Sequence, residues 1–198
     1  MRYPASIQNL IEHFSKLPSV GPKTAERYVF YLLRQNSEWL QRFAQAIAEL
    51  KEKTAICHTC LSIAEADPCS ICSDSKRNRA TLCVLADTRD LLAIEATGQY
   101  QGLYYVLGGV INAIEGVKPE QLNLAPLLSR LKSGAVKEVI LAFNPDLTGE
   151  TTSLYLAKIL KPYKIKATRL AKGLPMGADL DYADEITLAN ALKYRSEI

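Results

Sequence analysis

Four cysteines do more than any other feature to limit what this chain can become. Cys57 and Cys60 form one Cys-x2-Cys pair, Cys69 and Cys72 form a second, and eight residues separate the two. Two such knuckles brought together place four thiolates at the corners of a tetrahedron, the coordination Zn²⁺ prefers. The stretch 54–79 that carries them is short, polar and interrupted by Pro68, with little apolar material to bury. A metal would supply the folding free energy that such a stretch lacks. The expectation is one structural Zn²⁺ per chain. A redox disulfide pair and plain thiols are the alternatives, although a thioredoxin-type Cys-x-x-Cys needs a βαβ context that 54–79 lacks. His58 lies inside the first knuckle, and with four thiolates already present it is expected to be solvated. The segment KRNR, 76–79, reads either as a solvated linker or as a phosphate contact.

The chain differs in character on the two sides of this stretch. Before it, apolar residues recur at helical spacing. Ile7, Leu10, Ile11, Phe14 and Leu17 mark a helix over 5–17, with His13 on its surface and Ser6 as its cap. A second helix is expected from Lys23 to Arg34. A third, from Ser37 to Lys53, is expected to bury Leu40, Phe43, Ala44, Ile47 and Leu50. After the stretch, short β-rich runs alternate with helical patterns. The runs are 81–86 (with Cys83 in the core), 103–107, 138–143, 164–171 and 185–189, and the helices 88–97, 119–132 and 149–161. Such alternation predicts a parallel sheet covered by helices. The fold class is therefore α+β and built of modules. The expected bounds are 1–53 for a helical hairpin, 54–79 for a four-cysteine finger, 80–172 for an α/β domain and 173–198 for a short C-terminal segment.

The first two helices are joined by LPSVGPK, residues 17–23. Gly21 removes a Cβ, so the turn can approach another molecule closely. Pro22 suits the first position of a helix, where its missing N–H is no loss. Lys23 and Arg27 are four residues apart and share one helix face. Free N–H groups at a helix start, flanked by two cations, suit a backbone phosphate. A structural turn with a solvated cationic face is the competing reading. GPKT is no P-loop, because neither the G-x-x-x-x-G-K-[ST] spacing nor a preceding strand is present. The stretch resembles the helix-hairpin-helix, a DNA-binding motif without sequence specificity whose core runs L-P-G-[IV]-G-x-x-x-A. Ser19 stands where that core has its first glycine. A left-handed backbone there would cost roughly 1–2 kcal/mol.

Ligand sites in parallel sheets lie beyond the carboxyl ends of strands. Two such ends here are Leu85-Ala86-Asp87-Thr88-Arg89-Asp90 and Phe143-Asn144-Pro145-Asp146-Leu147-Thr148-Gly149-Glu150. The pair resembles the Toprim fold, which sets a glutamate after one strand and Asp-x-Asp after another to bind Mg²⁺ for phosphoryl chemistry. Ala86 and Asn144 occupy two of those positions in this chain, leaving Asp146 and Glu150, with Asp87 nearby. Phosphoryl chemistry on Mg²⁺ depends on carboxylates that fix the ion, so the reading is a degenerate Toprim domain without catalysis. Asp179, Asp181, Asp184 and Glu185 in the tail read as turn carboxylates or a protein contact.

The order of these modules, ending in KGLPMGADLDYADEITLANAL, is similar to that of the bacterial recombination mediators of the RecR family, over essentially the whole chain. Members usually carry glutamate where Ala86 stands. The resemblance implies a protein without enzymatic activity that binds gapped, single-stranded and double-stranded DNA. It implies action with RecO, and in many bacteria RecF, to help load RecA. It also implies homodimers and homotetramers able to encircle DNA. By resemblance, Lys23, Arg27 and Gly21 would meet DNA, and Asn144, Asp146 and Glu150 would face a protein partner. A Toprim-type nuclease or primase, and a zinc-dependent scaffold without DNA contact, are the rival functions. Net charge is only +3, with the basic excess confined to the first 79 residues, so a grip on phosphates must come from local arrangement and from several copies acting together. No apolar run is long enough to span a membrane, and MRYPASIQNLIEHF lacks a signal-peptide core. A cytoplasmic location is expected.

Overall fold

A computed structural model describes residues 3–195. Residues 1 and 2 and 196–198, at the ends of the first and last expected modules, lie outside the described residues. The chain divides into two compact units, 1–53 and 54–198. None of the described helices is long and apolar enough to cross a membrane.

The first unit holds three helices: α1 (Ala5–Ser15), α2 (Pro22–Leu32) and α3 (Ser37–Glu49). Pro4, not Ser6, stands at the start of α1, and it offers no side-chain cap. Pro22 opens α2 after Gly21, and the Asn36 side chain accepts from the Trp39 N–H to cap α3. Ile11, Ala25 and Val29 form a small buried core with Ile7, Phe14 and Val20 against it. The expected burial of the α3 stripe is not what the structure has. No residue of α3 is buried; Phe43, Ile47 and Leu50 are exposed, Ile47 by 59%. A unit of some fifty residues has too little interior to cover both the α1–α2 hairpin and a third amphipathic helix.

The second unit begins with the cysteine stretch. It contains a two-residue antiparallel ladder between β1 (Ala55–Ile56) and β2 (Ile63–Ala64), and the single-turn helix α4 (Ser70–Ser73). An α/β domain follows: β3 (Asn78–Leu85), α5 (Thr88–Glu95), β4 (Gly102–Val106), α6 (Leu124–Lys132), β5 (Glu138–Ala142), α7 (Leu147–Leu160) and β6 (Lys166–Arg169). The four long strands form one parallel sheet in the order β4-β3-β5-β6. Side chains alternate across it. Leu82 and Val84 of β3 face a core completed by Leu127 and Leu131 of α6 and Leu156 and Leu160 of α7. Cys83 and Leu85 face the opposite core with Leu91 of α5 and Tyr104. The chain leaves β3 toward β4 on one side and returns to β5 on the other. The carboxyl ends of β3 and β5 are therefore the switch point of the sheet, where such folds open a crevice.

The tail corrects one expectation. Residues 185–189 belong to a helix, α8 (Glu185–Lys193), rather than a strand. The Asp184 side chain accepts from the Thr187 N–H at 2.9 Å and the Thr187 hydroxyl at 2.7 Å. That cap, with the helix-favouring Ala-Asn-Ala-Leu-Lys that follows, overrides the β preference of the Ile-Thr pair. Asp184 is thus a helix cap.

Candidate functional site

The four cysteines converge. The Sγ atoms of Cys57, Cys60, Cys69 and Cys72 all lie within 4.8 Å of one another and all four residues are buried. A Zn–S bond of about 2.3 Å implies a sulfur–sulfur spacing of about 3.8 Å in a tetrahedron, and Cys60 and Cys69 are 3.7 Å apart. Backbone N–H groups point at the sulfurs: Cys69 N–H toward Cys57 and Cys72 N–H toward Cys69, each at 3.4 Å. The Ser62 hydroxyl lies 3.1 Å from the Cys60 sulfur. The Cys72 thiol and the Ser62 groups draw the Cys60 thiol well below its ordinary range, and Cys72, held against Cys60 and buried, is pushed up. A divalent ion binds such a cluster through the deprotonated sulfurs. The donor set, spacing and burial fit a structural zinc ion. His58 is not part of it; its Nδ1 and its backbone N–H both meet Asp67, at 2.7 and 2.8 Å. Cys83 stands apart, with burial raising its thiol to about 12.

Within KRNR, Lys76 and Arg79 are exposed, whereas Arg77 is not a solvated cation. Arg77 is largely buried, and its guanidinium holds Glu95, the Tyr100 carbonyl and Asp74. Nothing in the spacing of basic residues signals this role, because the partners lie up to 23 residues away.

At the hairpin, Ser19 has φ +63, the left-handed backbone that the glycine of the motif core would take without strain. The Val20 N–H closes the turn on the Leu17 carbonyl at 3.1 Å. Gly21 has φ −80, and a Cβ built there would meet no atom within 4 Å. Lys23 projects into solvent, its side chain 95% exposed, with a long contact of 3.5 Å to Glu26. Glu26 is also bound by the Tyr3 hydroxyl. Arg27 is exposed one turn further on.

At the switch point, a cleft of about 440 Å³ opens beyond β3 and β5. Ala86, Asp87, Arg89, Asn144, Asp146 and Thr148 line it, and the β1–β2 hairpin contributes Leu61 and Ile63. Its carboxylates are committed. Asp87 caps α5 and holds the Arg89 guanidinium at 2.9 and 3.1 Å. Asp146 caps α7, accepting from the Gly149 N–H and the Thr148 hydroxyl, each at 2.7 Å. The Gly149 hydrogen bond holds the Asp146 carboxyl below its usual range. Glu150 does not join them. It lines a separate cleft of about 140 Å³ and pairs with Lys172 and Arg169, which lower its pKa. The structure thus divides the three Toprim-surface residues: Asp146 faces one cleft, Glu150 the other, and Asn144 both. Among the described residues, the only group of three or more metal-ligating side chains is the cysteine cluster. The residues at the switch point do not fit a Mg²⁺ centre.

A helical hairpin, a four-thiol knuckle and a parallel α/β sheet whose cleft carboxylates serve as helix caps define a class of multi-module proteins. Family models for the RecR helix-hairpin-helix, the Toprim domain and the RecR C-terminal segment match residues 7–51, 80–171 and 173–196. Among curated relatives, "Recombination protein RecR" of Bifidobacterium animalis subsp. lactis (strain AD011) is 50% identical over 198 residues, covering 100% of this chain and 99% of the relative. "Recombination protein RecR" of Staphylococcus aureus (strain JH9) is 46% identical, with 100% of each covered. The chain belongs to the RecR family.

Proposed function

We propose that this chain is a non-catalytic mediator of recombinational DNA repair. Its hairpin grips the backbone of gapped, single-stranded or double-stranded DNA. Its α/β unit faces RecO, and RecF where present, to help load RecA. The modules are 1–53 for DNA contact, 54–79 for a zinc-stapled finger, 80–172 for the partner-facing Toprim domain and 173–198 for a segment that joins in self-association. The chain works in the cytoplasm.

One observation carries the DNA-binding part. Gly21 has an ordinary φ and open space where its side chain would be, so nothing inside the fold calls for glycine. That open space leaves room for another molecule to approach the backbone at the start of α2. Lys23 and Arg27 flank that approach, and a phosphodiester is the anion they suit. Self-association supplies the rest. The exposed apolar face of α3 favours a homodimer, and a second contact elsewhere closes a tetrameric ring in which several weakly cationic hairpins act on one DNA.

The test is a salt titration of DNA binding by the full chain. Changing Lys23 and Arg27 to alanine should weaken duplex and single-strand binding alike. It should also flatten the salt dependence by up to about two counterions per hairpin. Unchanged affinity and slope would return the hairpin to a purely structural role.

A further inference from the structure

The cysteine knuckle does not stand beside the α/β domain; it forms one wall of its cleft. The Val106 N–H, at the end of β4, donates to the Cys60 carbonyl at 2.7 Å. The Ile63 N–H donates to the Thr88 hydroxyl at 3.1 Å, tying β2 to the first turn of α5. The Arg130 guanidinium on α6 donates to the carbonyls of Thr59 and Tyr104 at 3.2 and 3.1 Å, bridging knuckle and strand. Leu61, between the second thiol and β2, takes φ +61, a left-handed backbone that a leucine adopts only when its surroundings hold it there. Leu61 and Ile63 face the cleft opposite Asn144, Asp146 and Thr148, and Ile63 is 61% exposed.

The knuckle has little apolar core of its own; Ala64 and Ile71 pack against the cysteine cluster, and Leu61 and Ile71 lean on the cores of the sheet. Without a metal, four buried cysteines are a weak support for a strained turn. The sheet beneath is of a different kind, with continuous cores on both faces. The wall is therefore held by the ion together with the packing of Leu61 on those cores, the floor by burial alone.

We propose that metal occupancy of the cysteine cluster gates the cleft: the ion holds Leu61 and Ile63 in place as its wall, and loss of the ion releases that wall while the parallel sheet and the hairpin unit stay folded. The apolar wall and the rim of Asp87, Arg89 and Asp146 then form one surface only in the metal-bound protein. The gate rests on nothing in the functional reading above. Its consequence does: with RecO docking at the cleft, docking becomes metal-dependent, whereas DNA contact at residues 17–27 does not.

Amide exchange on the full chain tests the gate directly, before and after stripping with a strong zinc chelator. The expected result is at least a tenfold faster exchange at Val106 and Ile63, with Val139, Ile140 and Leu141 of β5 still protected. Arg130→Met, with its metal retained, should speed exchange at the same two amides by a smaller factor. Unchanged exchange at Val106 in the stripped protein would overturn the proposal. So would loss of protection throughout β3 and β5, because the ion would then staple the whole unit rather than one wall. RecO and DNA binding by the stripped protein form the second arm. A stripped protein that shows the exchange change yet binds RecO undiminished leaves the gate standing and removes the cleft as the docking site.

Discussion

The Glu150 carboxylate on α7 accepts from the Arg169 guanidinium at the end of β6 at 2.7 Å, and that same guanidinium reaches the Tyr194 hydroxyl just beyond α8 at 3.3 Å. Lys172 holds the other oxygen of Glu150. A residue matched to a Toprim carboxylate therefore anchors the C-terminal segment. Met176, Tyr182 and Ile186 are among the exposed side chains of that segment. Glu150→Gln should leave the sheet intact but raise amide exchange over 166–172 and 188–194. A variant with unchanged exchange there would show that the ion pairs do not hold the segment.

Asp146 acts at the other end of the same question. Its cap on α7 should cost about 1 kcal/mol when removed as Asp146→Ala and much less as Asp146→Asn, which keeps an accepting oxygen. Hydrogen bonds depress the folded pKa of Asp146, and Lys172 and Arg169 depress that of Glu150. Both carboxylates thus add stability above the unfolded values near about pH 4, and that contribution disappears as pH falls through the lower folded values. Thermal melts from pH 6 downward should show the acid limb, and the double variant Asp146→Asn, Glu150→Gln should flatten it. Neither substitution should reveal a lost phosphoryl-transfer activity. Mg²⁺-dependent DNA cleavage that tracked Asp146 or Glu150 would overturn the non-catalytic reading.

Metal analysis of freshly reduced protein should return about one zinc per chain. Cys72→Ser should lower zinc content and thermal stability together, since it removes one of four mutually close ligands. His58→Ala should leave the stoichiometry unchanged, because that ring is engaged with Asp67. A zinc content near zero in the native protein would remove the site.

Ser19 carries a left-handed backbone without the freedom of glycine. Relief of that strain is worth roughly 1–2 kcal/mol, offset in part by the larger unfolded-state entropy of glycine. Ser19→Gly should therefore stabilise the hairpin unit by about 0.5–1 kcal/mol in denaturant unfolding. A destabilised variant would mean that the serine hydroxyl is needed where it stands.

The stacked pair Trp39 and Phe43, 5.3 Å between ring centroids, continues into exposed Ile47 along α3. Such a face predicts self-association. Sedimentation over a concentration series should show dimer passing to tetramer, and Ile47→Asp should shift the first step to higher concentration by at least tenfold. A strict monomer with full DNA affinity would remove encirclement.

Local chemistry alone specified much of this molecule. The Cys-x2-Cys spacing named the four cysteines that converge, because the geometry of a knuckle is set by the chain over a few residues. The sheet was legible from apolar runs such as EVILAF, since strands buried on both faces cannot alternate. Pro22 and Gly21 announced the hairpin for the same local reason. What needed the tertiary structure were relationships that depend on distant partners. Residues 185–189 look like a strand until Asp184 is seen to cap a helix. Arg77 looks like a solvated cation until Glu95 and Tyr100 are brought to it. The apolar stripe of α3 is plain in the sequence, but whether the chain has material to cover it is a property of the folded unit. Asn144, Asp146 and Glu150 read as one surface in a line of letters. Helix α7 turns them toward two different clefts, because residues four apart share a helix face only once the helix has begun, and it begins between them, at Leu147.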